Sequence, residues 1–399
     1  MAASQPSPAQ AAQHRGRPHR RNADWPQAQN LPQTQSLAGR FWRRSVLGGI
    51  FCLWVCGLLV FTGLYTATVV AVVRACVTLG SEPPPPFIVA FATFIAAYEA
   101  YRWLAPPLPW SWLRHAVRNK FCYYPYFRFN TCVFEDELRP MPPSKRPGLD
   151  QQGEQDEPDH EPAAGAAARN LSYTFTPALK ADERAMYAFH PHGILTCGAT
   201  VNGAHHLRFA ETDARWLVAE NLFWFPGLRD MLKWLDFDNV NKRTFVALME
   251  RGQNLGFVPG GFEEATLFER GKHRVFLKKR FGFIKLALQY GYKIYPAYTF
   301  GEELTFHTFP YLLTLRLKLN EYKIPGAAFV GSLWCFFMPR SDVDLITVVG
   351  TPLQLPTIRD PTPADIHEHH AMYVRKVQAL FDKFKGEFAM DPDAELEIF

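Results

Sequence analysis

The chain has 399 residues, of which 48% are hydrophobic, 20% charged and 15% aromatic, so it can bury one large core or two ordinary ones. Its 43 basic and 38 acidic residues leave a net charge of +5, too small to argue for nucleic acid and suited to a surface beside anionic lipid. The 7 cysteines include no C-x-x-C pair, which argues against a zinc cluster or disulfide framework and for a reducing compartment.

Residues 1–40 are rich in Gln, Pro, Ala and Arg, lack an apolar period, and are expected to form a disordered cytosolic tail. They are too long and too polar to open a cleaved signal peptide. Val46 to Val73 contains no charged residue. As a helix this stretch would reach roughly 42 Å, at about 1.5 Å per residue. That exceeds the ~30 Å hydrocarbon core, so it can span a bilayer. Pro83 to Pro86 then turn the chain. A weaker apolar stretch follows from Phe87 to Leu104, interrupted by Glu99 and Arg102 at i, i+3 spacing. Trp103, Trp110 and Trp112 resemble an interfacial aromatic belt. Arg40, Arg43 and Arg44 precede the first stretch, and Arg102, Arg114, Arg118 and Lys120 end or follow the second. The positive-inside rule predicts a membrane hairpin over 41–105 with both flanks in the cytosol.

The remaining residues, 106–399, are expected to form the catalytic domain, broken by an acidic, proline-rich insertion at 141–170 expected to be disordered. Met186 to Phe189, Asn254 to Val258, Lys293 to Phe300 and Asp344 to Val349 are strand candidates. Phe281 to Tyr290 is helical, with Gly291 as its stop. Ala364 to Phe388 carries the apolar stripe Ile366, Met372, Tyr373, Val377, Leu380, Phe381 and Phe384 of an amphipathic helix. Strands alternating with helices predict an α/β layer fold.

Three constellations carry the chemistry. His190-Pro191-His192-Gly193 follows the first strand candidate. With 13 His, 32 Pro and 26 Gly in the chain, the tetrapeptide would arise by chance in about two per thousand such chains. An imidazole at a strand end suits a general base for a lipid hydroxyl; two structural histidines in a turn, or an H-x-H metal pair, are the alternatives. Val258-Pro259-Gly260-Gly261-Phe262-Glu263-Glu264 runs from a strand through two glycines into two acids. It predicts either backbone N–H groups facing a ligand oxygen or a tight turn with solvated glutamates. Lys272, His273, Arg274, Lys278, Lys279, Arg280 and Lys285 form a basic cluster, fit for coenzyme A phosphates or for a membrane face. His367-Glu368-His369-His370 fails the zincin pattern, because Ala371 stands where a histidine is required; it is expected on a helix surface.

These residues resemble the type-2 diacylglycerol acyltransferase family. His190 to Gly193 is similar to its H-P-H-G signature. Tyr123-Tyr124-Pro125 is similar to its Y-F-P motif, with Tyr124 in place of Phe. Gly260-Gly261 with Glu264 resembles its G-G-x-x-E block. Gly282 to Leu288, Pro296, and Phe300-Gly301-Glu302 resemble a further block, and Thr347 to Pro352 its V-V-G-x-P block. The blocks occur in the family's order from about Arg114 to Phe388.

The resemblance implies an α/β acyltransferase-like domain, with a mixed central sheet flanked by helices, behind an N-terminal membrane helical hairpin. It implies an endoplasmic-reticulum enzyme, found also on lipid droplets, that moves an acyl group from acyl-CoA to diacylglycerol. No metal or cofactor is implied, since acyl-CoA is a substrate. Monoacylglycerol and fatty alcohols are the alternative acceptors; an inactive scaffold and a metal-dependent hydrolase are the rival classes. The implied base is His192, with His190 as the alternative and Glu264 as a carboxylate that orients the imidazole. Pro191, Gly193, Gly260, Gly261, Tyr123, Tyr124, Pro125, Arg280 and Lys285 are the implied substrate-binding residues. Membrane lipids are expected partners, nucleic acid is not, and a homo-oligomer stays open.

Overall fold

The computed structural model describes residues 37–78, 83–123, 126–140, 171–173, 182–309, 311–322, 326–333 and 335–399. The expected tail up to residue 36 and the expected insertion at 141–170 lie outside the described residues.

Two apolar helices open the described chain. Helix α1, Leu37–Val77, is continuous for 41 residues, and α2, Pro86–Leu104, starts on a proline at its first turn, where the missing N–H costs nothing. Among the described residues, Leu59–Val77 and Pro86–Leu104 are long and apolar enough to cross a membrane. The two helices meet where Phe91 packs against Phe61 at 6.2 Å and edge-on against Tyr65 at 5.3 Å. Helix α3, Ser111–Tyr123, leads into the domain.

The domain is built on a seven-stranded mixed sheet. In chain order the strands are β1 Phe129–Phe134, the pair β2 Leu138–Pro140 and β3 Leu171–Tyr173, β4 Ala185–His190, β5 Arg215–Val218, β6 Phe237–Asn239, β7 Leu255–Phe257, β8 His273–Val275, β9 Lys293–Phe300, the pair β10 His307–Thr308 and β11 Phe329–Val330, β12 Asp344–Val349 and β13 Leu396–Ile398. The sheet order is β1-β12-β9-β4-β7-β5-β6. Strands β9, β4, β7, β5 and β6 run parallel, and β12 runs antiparallel to β9. The pair β2 and β3 brackets the 141–170 segment, with Pro140 opposite Leu171.

Alternation along β4 divides the core. Met186 and Ala188 join one buried cluster and Ala185, Tyr187 and Phe189 the other, as a strand covered on both faces requires. The first face is covered by α7, Gly282–Tyr290, and α9, Pro363–Phe388. Helix α7 stops at Gly291, whose φ of +65° is the left-handed conformation glycine tolerates. A capping box between Thr362 and Asp365 starts α9. The stripe expected on α9 is its buried face at Tyr373, Val377, Leu380, Phe381 and Phe384; Phe381 stacks on Phe300 of β9 at 5.7 Å. The second face carries a π-helical segment, Gly198–Ala204, and α4, Leu228–Trp234. Helices α5, Lys242–Glu250, α6, Gly261–Leu267, and α8, Leu313–Glu321, complete the domain.

Glu99 and Arg102, which break the apolar run of α2, face α4. Arg102 Nε donates to Asp230 at 3.0 Å, Glu99 pairs with Arg229, and the Tyr98 hydroxyl accepts the Gly227 N–H at 3.0 Å. These polar residues tie the apolar helix to the domain.

Candidate functional site

Because β4, β7 and β9 are parallel, their carboxyl ends deliver three loops to one edge of the sheet, the edge where α/β proteins place ligands. The first loop carries His190 to Gly193, the second Gly260 to Glu264, and the third Gly301 and Glu302.

His190 ends β4 and is fully buried. Its Nε2 lies 2.9 Å from the hydroxyl of Tyr373 on α9. Burial pushes its pKa down to about 3, so the ring is neutral. Its Nδ1 is buried and has no hydrogen-bond partner among the described residues.

His192 is half-buried. Its Nδ1 lies 3.0 Å from the Gly193 carbonyl oxygen. A carbonyl only accepts, so Nδ1 carries the proton and Nε2 keeps its lone pair. Burial lowers the His192 pKa below the ordinary 6.5, against the raising effect of the Gly193 hydrogen bond. The neutral base therefore dominates near neutral pH.

Glu264 sits beneath this loop at 1% exposure. Its carboxylate accepts the main-chain N–H of His192 and that of Phe276 at 2.6 Å. Burial pushes its pKa up to about 7, although both N–H bonds pull it down. The resemblance implies a carboxylate that orients the imidazole; Glu264 is buried and grips the backbone of the loop instead. Gly260 makes room for it, since a Cβ there would lie 2.0 Å from Glu264 Oε2. Glu263, one residue earlier on α6, points outward and pairs with Arg280, whose guanidinium also donates to the Gly260 carbonyl at 2.9 Å.

On the other side stands Glu302 of the Phe300-Gly301-Glu302 block, a residue that its sequence pattern alone does not single out. It is fully buried and accepts the N–H groups of Cys197 at 3.1 Å and Gly198 at 2.6 Å. Burial pushes its pKa up to about 8. Gly193 has φ +59°, and a Cβ there would lie 2.1 Å from Glu302 Oε1. Both the turn and the packing demand glycine at this place. Two buried carboxyl groups thus clamp the backbone on either side of His192.

Of the expected site residues, His190, Pro191, His192, Gly193, Gly260, Gly261, Glu264 and Arg280 gather at this edge. Lys285 is exposed in the first half of α7. Tyr124 and Pro125 lie outside the described residues, as does the side chain of Tyr123. Tyr373 is a second such residue, brought by the fold to His190. The expectation of a helix surface holds for His367, but His370 is buried, 2.9 Å by Nε2 from the Leu277 carbonyl. Among the described residues, no group of three His, Cys, Asp or Glu side chains is placed to hold a metal.

The family whose model matches residues 170–399 is described as diacylglycerol acyltransferase. The match covers more than half of the chain, and the chain belongs to that family. It is 33% identical over 232 residues to diacylglycerol O-acyltransferase 2-like protein 6 of Mus musculus, covering 52% of this chain and 68% of that protein. It is 29% identical over 241 residues to diacylglycerol O-acyltransferase 1 of Schizosaccharomyces pombe, covering 56% and 69%. Diacylglycerol O-acyltransferase 2 of Dictyostelium discoideum is 32% identical over 231 residues, covering 53% and 69%. No solved structure matches the chain significantly.

Proposed function

We propose that this protein is a membrane-bound acyl-CoA:diacylglycerol O-acyltransferase with an acyltransferase-like domain, making triacylglycerol. The observation that carries the mechanism is the His192 ring, neutral and pinned through Nδ1 to Gly193, with Nε2 left to take a proton. The acceptor hydroxyl gives its proton to Nε2 while its oxygen attacks the thioester carbonyl. The tetrahedral oxyanion collapses, the carbon–sulfur bond breaks, and the imidazolium returns the proton to the departing thiolate. The products are triacylglycerol and free coenzyme A, and every residue ends as it began. Arg280, a cation near the imidazole, would meet a coenzyme A phosphate or the oxyanion, with Lys285 an outer contact. No cofactor enters this scheme. Helices α1 and α2 hold the enzyme in the endoplasmic reticulum membrane, with both termini cytosolic.

The test is to incubate microsomes containing the protein with labelled oleoyl-CoA and each acceptor in turn. Diacylglycerol should give labelled triacylglycerol faster than monoacylglycerol or a fatty alcohol gives its ester. Preference for another acceptor would redirect the assignment within the family, and no acyl transfer to any acceptor would defeat it.

A further inference from the structure

Strand β9 leaves the sheet at Phe300 and the chain returns at Asp344 into β12, its antiparallel neighbour. Exit and return therefore lie at one edge, the edge that carries the two histidines. The connection between them contains α8, which buries an arginine and exposes leucines. Arg316 is buried and donates to the carbonyls of Gly326 and Phe309 at 2.6 Å and of Thr266 at 2.9 Å. Asn320, one turn later, donates to the Thr266 hydroxyl at 3.0 Å. Arg316 and Asn320 thus face the protein and bolt α8 to α6, the helix of Glu264. Leu312, Leu315, Leu319 and Tyr322 are exposed instead. Their spacing of three, four and three residues puts them on one stripe. Leu333 and Phe336 are exposed further along the same connection, and exposed apolar clusters of this kind mark interaction surfaces.

We propose that this stripe, with Leu333 and Phe336, lies in the lipid interface of the same bilayer that holds α1 and α2. Continuity argues for lipid as the occupant. Phe336 follows Cys335, whose Sγ lies 2.8 Å from Cys52 Sγ on α1, so the apolar surface continues from the helix that enters the membrane. The second anchor, α2, docks on the amino end of α4, which follows the carboxyl end of β5 and so approaches the same edge. Lys318 is exposed on α8, a placement that favours anionic headgroups. An interfacial helix buries its apolar face only to the headgroup boundary, so α8 does not cross the bilayer. Docked in this way, the edge that carries His192 faces the lipid from which a diacylglycerol acceptor comes. The inference rests on the membrane reading of α1 and α2, and its test is read without turnover.

An environment-sensitive fluorescent amino acid is placed at Leu315, at Leu319, at Val69 on α1, or at Arg359. The full chain is reconstituted in phosphatidylcholine vesicles. Arg359 adjoins Gln289 at the end of α7, toward the opposite edge of the sheet. Brominated acyl chains should remove most of the emission at residues 315, 319 and 69 and little at 359, and aqueous iodide should do the reverse. Iodide quenching at 315 and 319 with lipid quenching at 69 overturns the docking surface alone. Loss of lipid quenching at 69 as well overturns the membrane hairpin with it. Protection at 315 and 319 from both quenchers, relieved on dilution, assigns the stripe to a second copy of the chain and also overturns the proposal.

Discussion

The carboxylate of Glu264 accepts the main-chain N–H of His192, while the imidazole is held by the Gly193 carbonyl instead. The carboxylate therefore acts on the position of the base through the loop. Glu264→Gln places an amide N–H against one of two buried N–H donors, and an unmatched buried donor costs about 1–3 kcal/mol. The variant should lose most of its activity and also melt at a lower temperature. Glu263→Gln breaks only a partly exposed pair with Arg280 and should change both little. Activity assays with thermal unfolding in detergent separate the two; equal, mild effects at both positions would count against the loop clamp.

Glu302 and Gly193 form the other half of the clamp. Gly193→Ala forces a Cβ against Glu302 and a left-handed backbone that costs an L residue about 1–2 kcal/mol. Little activity should remain. Folding raises Glu264 to about 7 and Glu302 to about 8 from an ordinary 4.5, so the native chain holds protons that the unfolded chain releases. These groups favour folding below about pH 4.5, and their contribution is lost as pH rises toward 7 and 8. Glu302→Gln, which stays neutral, should flatten the fall in melting temperature across that window. An unchanged slope would mean that Glu302 is ionised in the folded protein.

Pro140 and Leu171 face each other across the base of the 141–170 segment. Deleting Pro142 to Ala168 leaves a short connection between strands already adjacent, so transferase activity should stay within a few-fold of the parent. Loss of folded protein on deletion would show that the segment supports the domain.

The anchor is tested separately. Tags at both ends of the chain should be open to protease in intact microsomes, as the basic flanks of the hairpin predict. A protected carboxyl-terminal tag would place the domain, and His192, in the lumen.

Much of this arrangement was legible in the sequence. The runs that became β9 and β12 have the bounds expected of them, because each is a short apolar run framed by turn residues. Gly291 marked the end of α7 for the same kind of reason. Strands β5 and β6 were not legible, because each is short and includes charged residues such as Arg215 and Asp238, which pair across the two strands. Strand β1 hides Asn130 in the core, where the Asn202 side chain accepts from it at 3.2 Å; a buried amide gives no apolar signal. The histidine motif stood out by composition, but the task of Glu264 depended on which atoms meet. Glu302 lies more than 100 residues from Cys197 and Gly198, and only the parallel pairing of β4 with β9 brings them together.

Substitution of the two histidines decides whether His192 is the base for acyl transfer. In the parent, kcat/KM should hold through neutral pH and decline only below the ordinary histidine value of 6.5, since burial lowers the His192 pKa. His192→Ala should cut the rate of labelled triacylglycerol formation in microsomes by about 10²–10⁴-fold, the usual share of a general base, with membrane insertion intact. Tyr373→Phe, which removes the hydroxyl from His190 but keeps the ring, should lose far less. Near-parental turnover in His192→Ala would exclude His192 as the base; if His190→Ala alone abolished transfer, the base would be the buried ring on β4.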